Sequence, residues 1–216
     1  VIDGGQISAS TFGQGNAGNI NIETSNSLIL EGSGSSISSQ VNSTSRNGNL
    51  RIGAIGDGGN INISGNVVVV RNGGAVSVST FGEGDAGKII VEANESILLE
   101  GDLSGVVSQI SPEAVGDSKG IEFSTNRLIM RDGAIIGADS FGRGDTGKVI
   151  IDAAESVWIS GENTGIGSAI DIGAVGNSNG IEISTGDFLL EAGSQISAST
   201  FGQGNAGRVR VNANDT

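Results

Sequence analysis

Residues 80–88 read TFGEGDAGK, and the sequence contains this block four times. The other copies are TFGQGNAGN at residues 11–19, SFGRGDTGK at 140–148 and TFGQGNAGR at 200–208. The last three copies are spaced at 60 residues, whereas 69 residues separate the first two. A second block lies between them with the same 60-residue period, as AIGDGGN at 54–60, AVGDSKG at 114–120 and AVGNSNG at 174–180. Repetition at a fixed period indicates a solenoid or another repeat architecture.

Each 60-residue period holds two related units, and each unit contains three short apolar runs. The unit near Val76 has the runs VSVST, KIIVEA and SILLEG, which are separated by turn residues. Such runs are typical of strands, and helical spacing is absent from them. One unit cannot bury its own apolar face, but stacked units bury a continuous core. We therefore predict an all-β fold, a right-handed parallel β-helix (solenoid) of about seven coils of three short strands, with two coils per 60-residue repeat. The alternative is a β-sandwich or an up-and-down barrel.

Stacking in register predicts columns of like residues. The second strand of each coil should point these pairs inward: Ile20/Ile22, Ile61/Ile63, Ile89/Val91, Ile121/Phe123, Val149/Ile151, Ile181/Ile183 and Val209/Val211. We also expect Phe12, Phe81, Phe141 and Phe201 in one corner column, with Ile55, Val115 and Val175 filling it in alternate coils.

Composition excludes several functions. The 216 residues include 38 glycines and no cysteine or histidine, and the formal net charge is −13. An acidic chain without clustered Lys and Arg is a poor partner for nucleic acid. No apolar run is long enough for a membrane span, so membrane insertion is not expected. Both ends of the sequence fall inside a coil. We therefore expect residues 1–216 to be a single β-helix segment, truncated at both ends, whose first partners are flanking repeats of the same chain.

Residues 4–22, GGQISASTFGQGNAGNINI, resemble the repeats of large bacterial exoproteins of the filamentous haemagglutinin type. The likeness recurs in the other copies and covers nearly the whole chain. The resemblance implies a right-handed β-helix, two-partner secretion and a place outside the cell or on the bacterial cell surface. It also implies a role in adhesion or surface structure. We therefore expect a non-catalytic shaft or adhesin segment without a cofactor, which could bind a surface glycan or receptor.

A carbohydrate-active β-helix, either a polysaccharide lyase or a hydrolase, is the alternative. Hydrolysis of glycosides needs two carboxyl groups placed across a cleft. Such a site would break the repeat, and the departures from the repeat are few: residues 42–50, residues 111–113 and Trp158. The chain has no histidine for general acid–base work. We therefore predict that the protein is not an enzyme.

Carboxylates in the repeated turns form a predicted column. Asp85 and Asp145 share their position with asparagines, as do Asp57 and Asp117 in the second block. Stacked carboxylate oxygens could bind Ca²⁺. Because asparagine replaces aspartate freely, turn formation alone also accounts for these residues.

Two short motifs in the first block match known binding sequences. GEGDAGK at 82–88 and GRGDTGK at 142–148 match the core of a phosphate-binding loop, but Ile89 and Val149 stand where Ser or Thr should hold Mg²⁺. Residues 143–145 spell Arg-Gly-Asp, a tripeptide that integrin-type receptors can bind. We interpret both motifs as corners of the solenoid.

Extra residues in some coils predict loops. The nine-residue excess of the first repeat lies at Asn42–Leu50, and residues 101–105 and 161–165 also lengthen their coils. We expect all three to protrude on one side. Because loops often carry function on repeat scaffolds, the candidate binding residues are Asn42, Thr44, Arg46 and Asn47.

The third strand of each coil has an unusual outward position. Between inward apolar pairs, the residues expected to face outward are also apolar: Ile29, Val69, Leu98, Ile129, Trp158 and Leu189. One strand spacing apart, they would form a stripe roughly 25 Å long. A contiguous exposed patch usually marks an interface. We expect this stripe to be covered, either by lateral self-association or by another partner.

Overall fold

The computed structural model describes residues 1–46 and 50–214 and shows a parallel β-solenoid of about seven turns. Each turn contributes strands to two parallel sheets. No helix in the described residues is long and apolar enough to cross a membrane.

The first sheet has seven strands, one from each turn, and every neighbouring pair is parallel and in register. Its strands, in spatial and chain order, are β1 (Gln6–Ser8), β4 (Ser36–Val41), β8 (Ala75–Thr80), β10 (Gly105–Ile110), β12 (Ile135–Ser140), β14 (Gly165–Ile170) and β16 (Gln195–Thr200).

The second sheet contains the strands that follow the repeated turn blocks. They are β2 (Ile20–Glu23), β3 (Ser27–Glu31), β7 (Ile61–Arg71), β9 (Ile89–Glu100), β11 (Ile121–Arg131), β13 (Val149–Ser160), β15 (Ile181–Glu191) and β17 (Val209–Ala213). The short strands β2 and β3 both pair with β7. From β7 to β15 the second and third predicted strands are one continuous strand with a register shift near its middle. The prediction of three short strands per coil is therefore not confirmed.

The core lies between the two sheets, as the columns predict. Ile61, Ile63, Ile121 and Phe123 are at most 1% exposed. Among the inward pairs of the third predicted strand, Val68/Val70, Ile97/Leu99, Leu128/Met130 and Val157/Ile159 are equally buried, whereas Leu28 and Phe188 are partly buried and Leu190 is exposed. In the last turn Val209 and Val211 are exposed. Stacking identical apolar columns removes large areas from water without large aromatic residues, because each turn covers the next.

The third side of the solenoid is a column of isolated parallel bridges. Ile55 pairs with Gln14 and Glu83, and Val115 pairs with Glu83 and Arg143. The expected corner column is therefore wrong by two residues, because Ile55, Val115 and Val175 align with the residue two positions after each Phe. Phe12 and Phe201 are more than half exposed.

Glycines of both repeated blocks allow the turns to approach closely at this third side. Gly84 has φ +130°, and a Cβ atom there would overlap the carbonyl group of Gly56 in the preceding turn. The same overlap with the preceding turn would occur at Gly56, Gly116, Gly144, Gly176 and Gly204. Only glycine fits, because any side chain would force the turns apart.

The nine-residue excess forms a hairpin. Strands β5 (Ser43–Arg46) and β6 (Leu50–Gly53) are antiparallel, and Ser43 pairs with Gly53 at the base. The backbone of Thr44 and Arg46 lies in β5, whereas Asn47 lies outside the described residues. The hairpin comes directly after β4, at the end of a strand of the first sheet. Residues 101–104 come directly before β10, at the opposite end of the strands of that sheet. The expectation that all the extra residues protrude on one side is therefore wrong.

Candidate functional site

The turn carboxylates form a hydrogen-bonded ladder. The backbone N–H of Asp85 donates to Oδ1 of Asp57 (3.1 Å), and that of Asp117 donates to Oδ1 of Asp85 (2.9 Å). The ladder continues through Asp145 at 2.8 Å and Asn177 at 2.7 Å. Asn16 begins it and Asn205 ends it. Each side-chain oxygen thus satisfies a backbone donor that has no strand partner at this corner.

The ladder explains why aspartate and asparagine alternate freely at this position. Both residues offer the one oxygen that the next turn requires. The four calcium candidates are therefore brought into one column, but each has its Oδ1 occupied by a backbone N–H. Within residues 1–46 and 50–214 no three acidic side chains are grouped as a metal site. Lys119 lies 3.8 Å from Oδ2 of Asp85 and partly neutralises the column.

Replacing one carboxylate separates the structural role from calcium binding. Asp117→Ala leaves the backbone N–H of Asp145 without an acceptor and should cost about 1 kcal/mol of unfolding free energy. Asp117→Asn keeps the acceptor and removes like-charge repulsion, so it should be as stable as the wild type or more so. Thermal melts with and without Ca²⁺ provide the measurement. A calcium-dependent rise in Tm that Asp117→Asn abolishes would instead assign a metal site to this column.

The two short motifs lie in the same ladder. Each phosphate-loop match leads directly into a strand, β9 or β13, so no helix N-terminus follows it. Lys88 is bound to Glu122 at 2.6 Å, and Lys148 is bound to Glu182. In the Arg-Gly-Asp motif, Oδ1 of Asp145 accepts both the backbone and the side-chain N–H of Asn177. These residues connect neighbouring turns.

Comparison with known proteins gave no match. No family model matches the chain, and no curated protein or solved structure has significant similarity to it. The site must therefore be judged from its own geometry.

The predicted apolar stripe is present as one continuous column. Strand pairing places Ile29 beside Val69, Val69 beside Leu98, and Leu98 beside Ile129. Trp158 and Leu189 continue it in the next two turns. Ile29, Trp158 and Leu189 are 39%, 37% and 48% exposed, and the other three are half-buried between their neighbours. The stripe lies on the outer face of the second sheet.

A charged column that the sequence analysis missed runs beside the stripe. Two positions after each stripe residue stand Glu31, Arg71, Glu100, Arg131, Ser160 and Glu191, and the pairing register aligns them. Arg71 binds Glu31 at 2.8 Å, and Arg131 binds Glu100 at 2.9 Å. The hydrogen bond from Arg71 lowers the pKa of Glu31 below its ordinary value. The sequence does contain a signal for this column, because the residue two positions after each of the first four stripe residues is charged, with alternating sign.

A groove on the first sheet is a second feature that sequence analysis did not identify as a site. Its volume is about 310 Å³, and its floor is formed by Gly137 and Gly167 where other turns have larger residues. The half-buried carboxylate of Asp139 lies over this floor, and its Oδ1 accepts the backbone N–H of Ala169 at 3.0 Å. Gln195 borders the groove. The only signal in the sequence was that Gly137 and Asp139 stand where the corresponding strand one repeat earlier has Ser77 and Ser79.

Asp139 makes stability depend on pH. Burial raises the pKa of Asp139 above its ordinary value of 3.8, the hydrogen bond from Ala169 opposes this, and the charge of Asp171 adds to it. The protonated Asp139 side chain therefore stabilises the fold fully at pH values below 3.8, the ordinary pKa. This stabilisation is lost as the pH rises through the raised pKa of the folded state. Asp139→Asn should raise Tm at pH 7 and have little effect at pH 3. Thermal melts of both proteins from pH 3 to pH 7 test this prediction. It is contradicted if the Tm of the variant minus that of the wild type is lower at pH 7 than at pH 3.

Proposed function

We propose that this chain is a non-catalytic shaft or adhesin segment of a large extracellular repeat protein, for surface attachment or structural display. One observation carries the proposal: the turn acids, which would supply catalytic carboxyl groups, accept backbone N–H groups in four of the six consecutive contacts from Asn16 to Asn205. Chemistry that needs a free carboxylate pair competes with this use. A stack of similar turns suits a spacer.

The proposal includes finer points of structure and origin. We infer a right-handed solenoid, since parallel crossover connections are right-handed in nearly all cases. The column of isolated bridges between the two sheets supports a three-sided coil, and the register shift in the long strands supports a bend in its longest side. The resemblance of residues 4–22 to filamentous haemagglutinin-type repeats supports two-partner secretion and a location on the bacterial surface.

Two assays on the fragment test the proposed function. Incubation with a panel of polysaccharides should release no new reducing ends and no unsaturated products. Immobilised glycans or cells should retain the fragment if it carries an adhesive surface itself. Release of reducing ends would replace the proposal with the carbohydrate-active alternative, and the groove beside Asp139 would then be the first place to mutate.

The hairpin is the proposed adhesive element, because it holds the one antiparallel strand pair of the described residues and belongs to neither parallel sheet. Asn42–Gly53 can be replaced by Ser-Pro-Glu, the sequence that closes the equivalent corner at residues 111–113. We expect this exchange to abolish binding to glycans or cells while the β-sheet circular dichroism is unchanged. The matched control exchanges residues 171–173 for the same tripeptide. Equal binding by both variants would exclude the hairpin.

A further inference from the structure

The apolar stripe and the charged column beside it form one surface on the second sheet. The stripe comprises Ile29, Val69, Leu98, Ile129, Trp158 and Leu189, and the column comprises Glu31, Arg71, Glu100, Arg131, Ser160 and Glu191. The side chains of Arg71 and Arg131 are 40% and 43% exposed, so the charges remain accessible beside the stripe.

Over the first four turns the column alternates strictly in sign and carries no net charge. Glu31, Arg71, Glu100 and Arg131 succeed one another one strand spacing apart. Beyond them the alternation ends, because Ser160 is neutral and Glu191 accepts a hydrogen bond from Nε1 of Trp158 at 2.9 Å. The neutral, alternating part is therefore confined to the turns from β3 to β11.

Two such surfaces are complementary in only one relative orientation. When two copies pack face to face and antiparallel, the charged column of one faces the charged column of the other. When they pack parallel, each charged column faces the opposite edge. There Ser27, Val67 and Ser96 offer no charge, and Arg127 would lie against Arg131 of the second copy. Of the antiparallel registers, the one centred between β7 and β9 places Glu31 opposite Arg131 and Arg71 opposite Glu100, each twice.

We propose that the stripe is a docking surface for a second copy of this chain, paired antiparallel about a two-fold axis between the turns of β7 and β9. The same register places Ile29 against Ile129 and Val69 against Leu98, so the apolar side chains meet as the charges do. A two-fold pairing of this kind uses the same patch on both copies. This pairing would join two shafts side by side, which the proposed shaft function does not itself require.

Four turns span only about 15 Å along the stack. The contact is therefore smaller than the ~800 Å² per partner of a standard interface, and the pairing should be weak. Charge complementarity then selects the orientation and register more than it adds affinity.

Charge exchange provides the decisive test. Glu100→Arg places arginine opposite Arg71 of the second copy, and Arg71→Glu places glutamate opposite Glu100 of the second copy. Each variant alone should therefore lose pairing. In a mixture, one Glu100→Arg chain and one Arg71→Glu chain restore every opposite-charge contact, so the mixture should pair again.

Sedimentation equilibrium at protein concentrations from about 10 μM to 1 mM measures this, since weak pairs form in that range. The weight-average mass of the wild type should rise from 21.5 kDa toward twice that value. Glu122→Arg is the matched control: it makes the same change of net charge and removes the ion pair with Lys88, but lies in another column. It should pair like the wild type.

Circular dichroism establishes that each variant is folded, because the exchanges also remove the contacts of Arg71 with Glu31 or of Glu100 with Arg131 within one chain. If either charge variant does not fold, Leu98→Lys/Ile129→Lys replaces it, and it should remain monomeric. A wild type that stays monomeric throughout, or a mixture that pairs no better than its components, would overturn the proposal. Neither result would affect the shaft function, which glycan and cell binding test independently.

Discussion

Gly84→Ala should cost about 3 kcal/mol or more of unfolding free energy, and the protein should lose most of its cooperative melting. Two effects add. The backbone φ of +130° is strained for any residue with a Cβ atom. The new methyl group would also overlap the Gly56 carbonyl and lie 3.2 Å from Oδ1 of Asp57, whose oxygen accepts the backbone N–H of Asp85. Neither neighbour can move without separating two turns, and overpacking of this kind is costly.

Gly167→Ala is the matched control for this prediction. Gly167 lies in β14 with an ordinary φ, and the nearest atom to a new Cβ would be Oδ1 of Asp139 at 3.8 Å. Because alanine restricts the unfolded chain, the variant should be neutral or slightly stabilised. Urea or thermal unfolding followed by circular dichroism measures both variants. Equal stability of Gly84→Ala and Gly167→Ala would refute the close approach of turns at the third side.

Phe123→Ala should destabilise the protein by about 3–5 kcal/mol, the usual cost of deleting a buried aromatic ring. Phe123 is 1% exposed and lies in the inward column between Val91 and Ile151 of the neighbouring turns. Removal of the ring leaves a cavity that continuous strands on both sides cannot close. Unfolding of the variant by denaturant gives the value.

The matched control is Phe123→Ile, which makes this turn like Ile63, Ile151 and Ile183 in the same column. A hydrophobic exchange that suits the neighbouring residues usually costs less than about 1.5 kcal/mol. If Phe123→Ile is as destabilised as Phe123→Ala, the turns are not interchangeable and the column is specialised around the ring.

The repeat was sufficient to predict the stacking register of the sheets. Like residues recur at intervals that a solenoid brings together, so Ile61, Ile89 and Ile121 could be aligned without coordinates, and so could the six stripe residues. The prediction of the corner column was wrong because it aligned the Phe of the first block with the Ile or Val of the second block. The fixed pair is Gly followed by Asp or Asn, since Gly84 and Asp85 make contacts with the turns before and after them that only these residue types provide. Aligning this pair places Val115 beside Glu83, as the structure has it.

The continuous strands were missed for a related reason. Polar residues Asn94 and Glu95 were interpreted as a turn, but neither has a positive φ, and the strand continues through them with a register shift. A bulge depends on one extra residue in one of two paired strands, here four residues from Ala93 to Ser96 against three from Thr125 to Arg127. That difference becomes visible only when the two strands are already paired. The groove beside Asp139 could not be predicted either, because it depends on which side chains lie over Gly137 and Gly167.

The alternation of turn lengths limits how such a chain can lengthen or shorten in evolution. Successive positions of the carboxylate ladder are separated by 28, 32, 28, 32 and 28 residues from Asp57 to Asn205. Duplication or loss of a single turn would place two long or two short turns side by side and misalign the corner that follows. Recombination in steps of 60 residues keeps the order intact. Heritable changes in length should therefore come in increments of two turns, about 10 Å each.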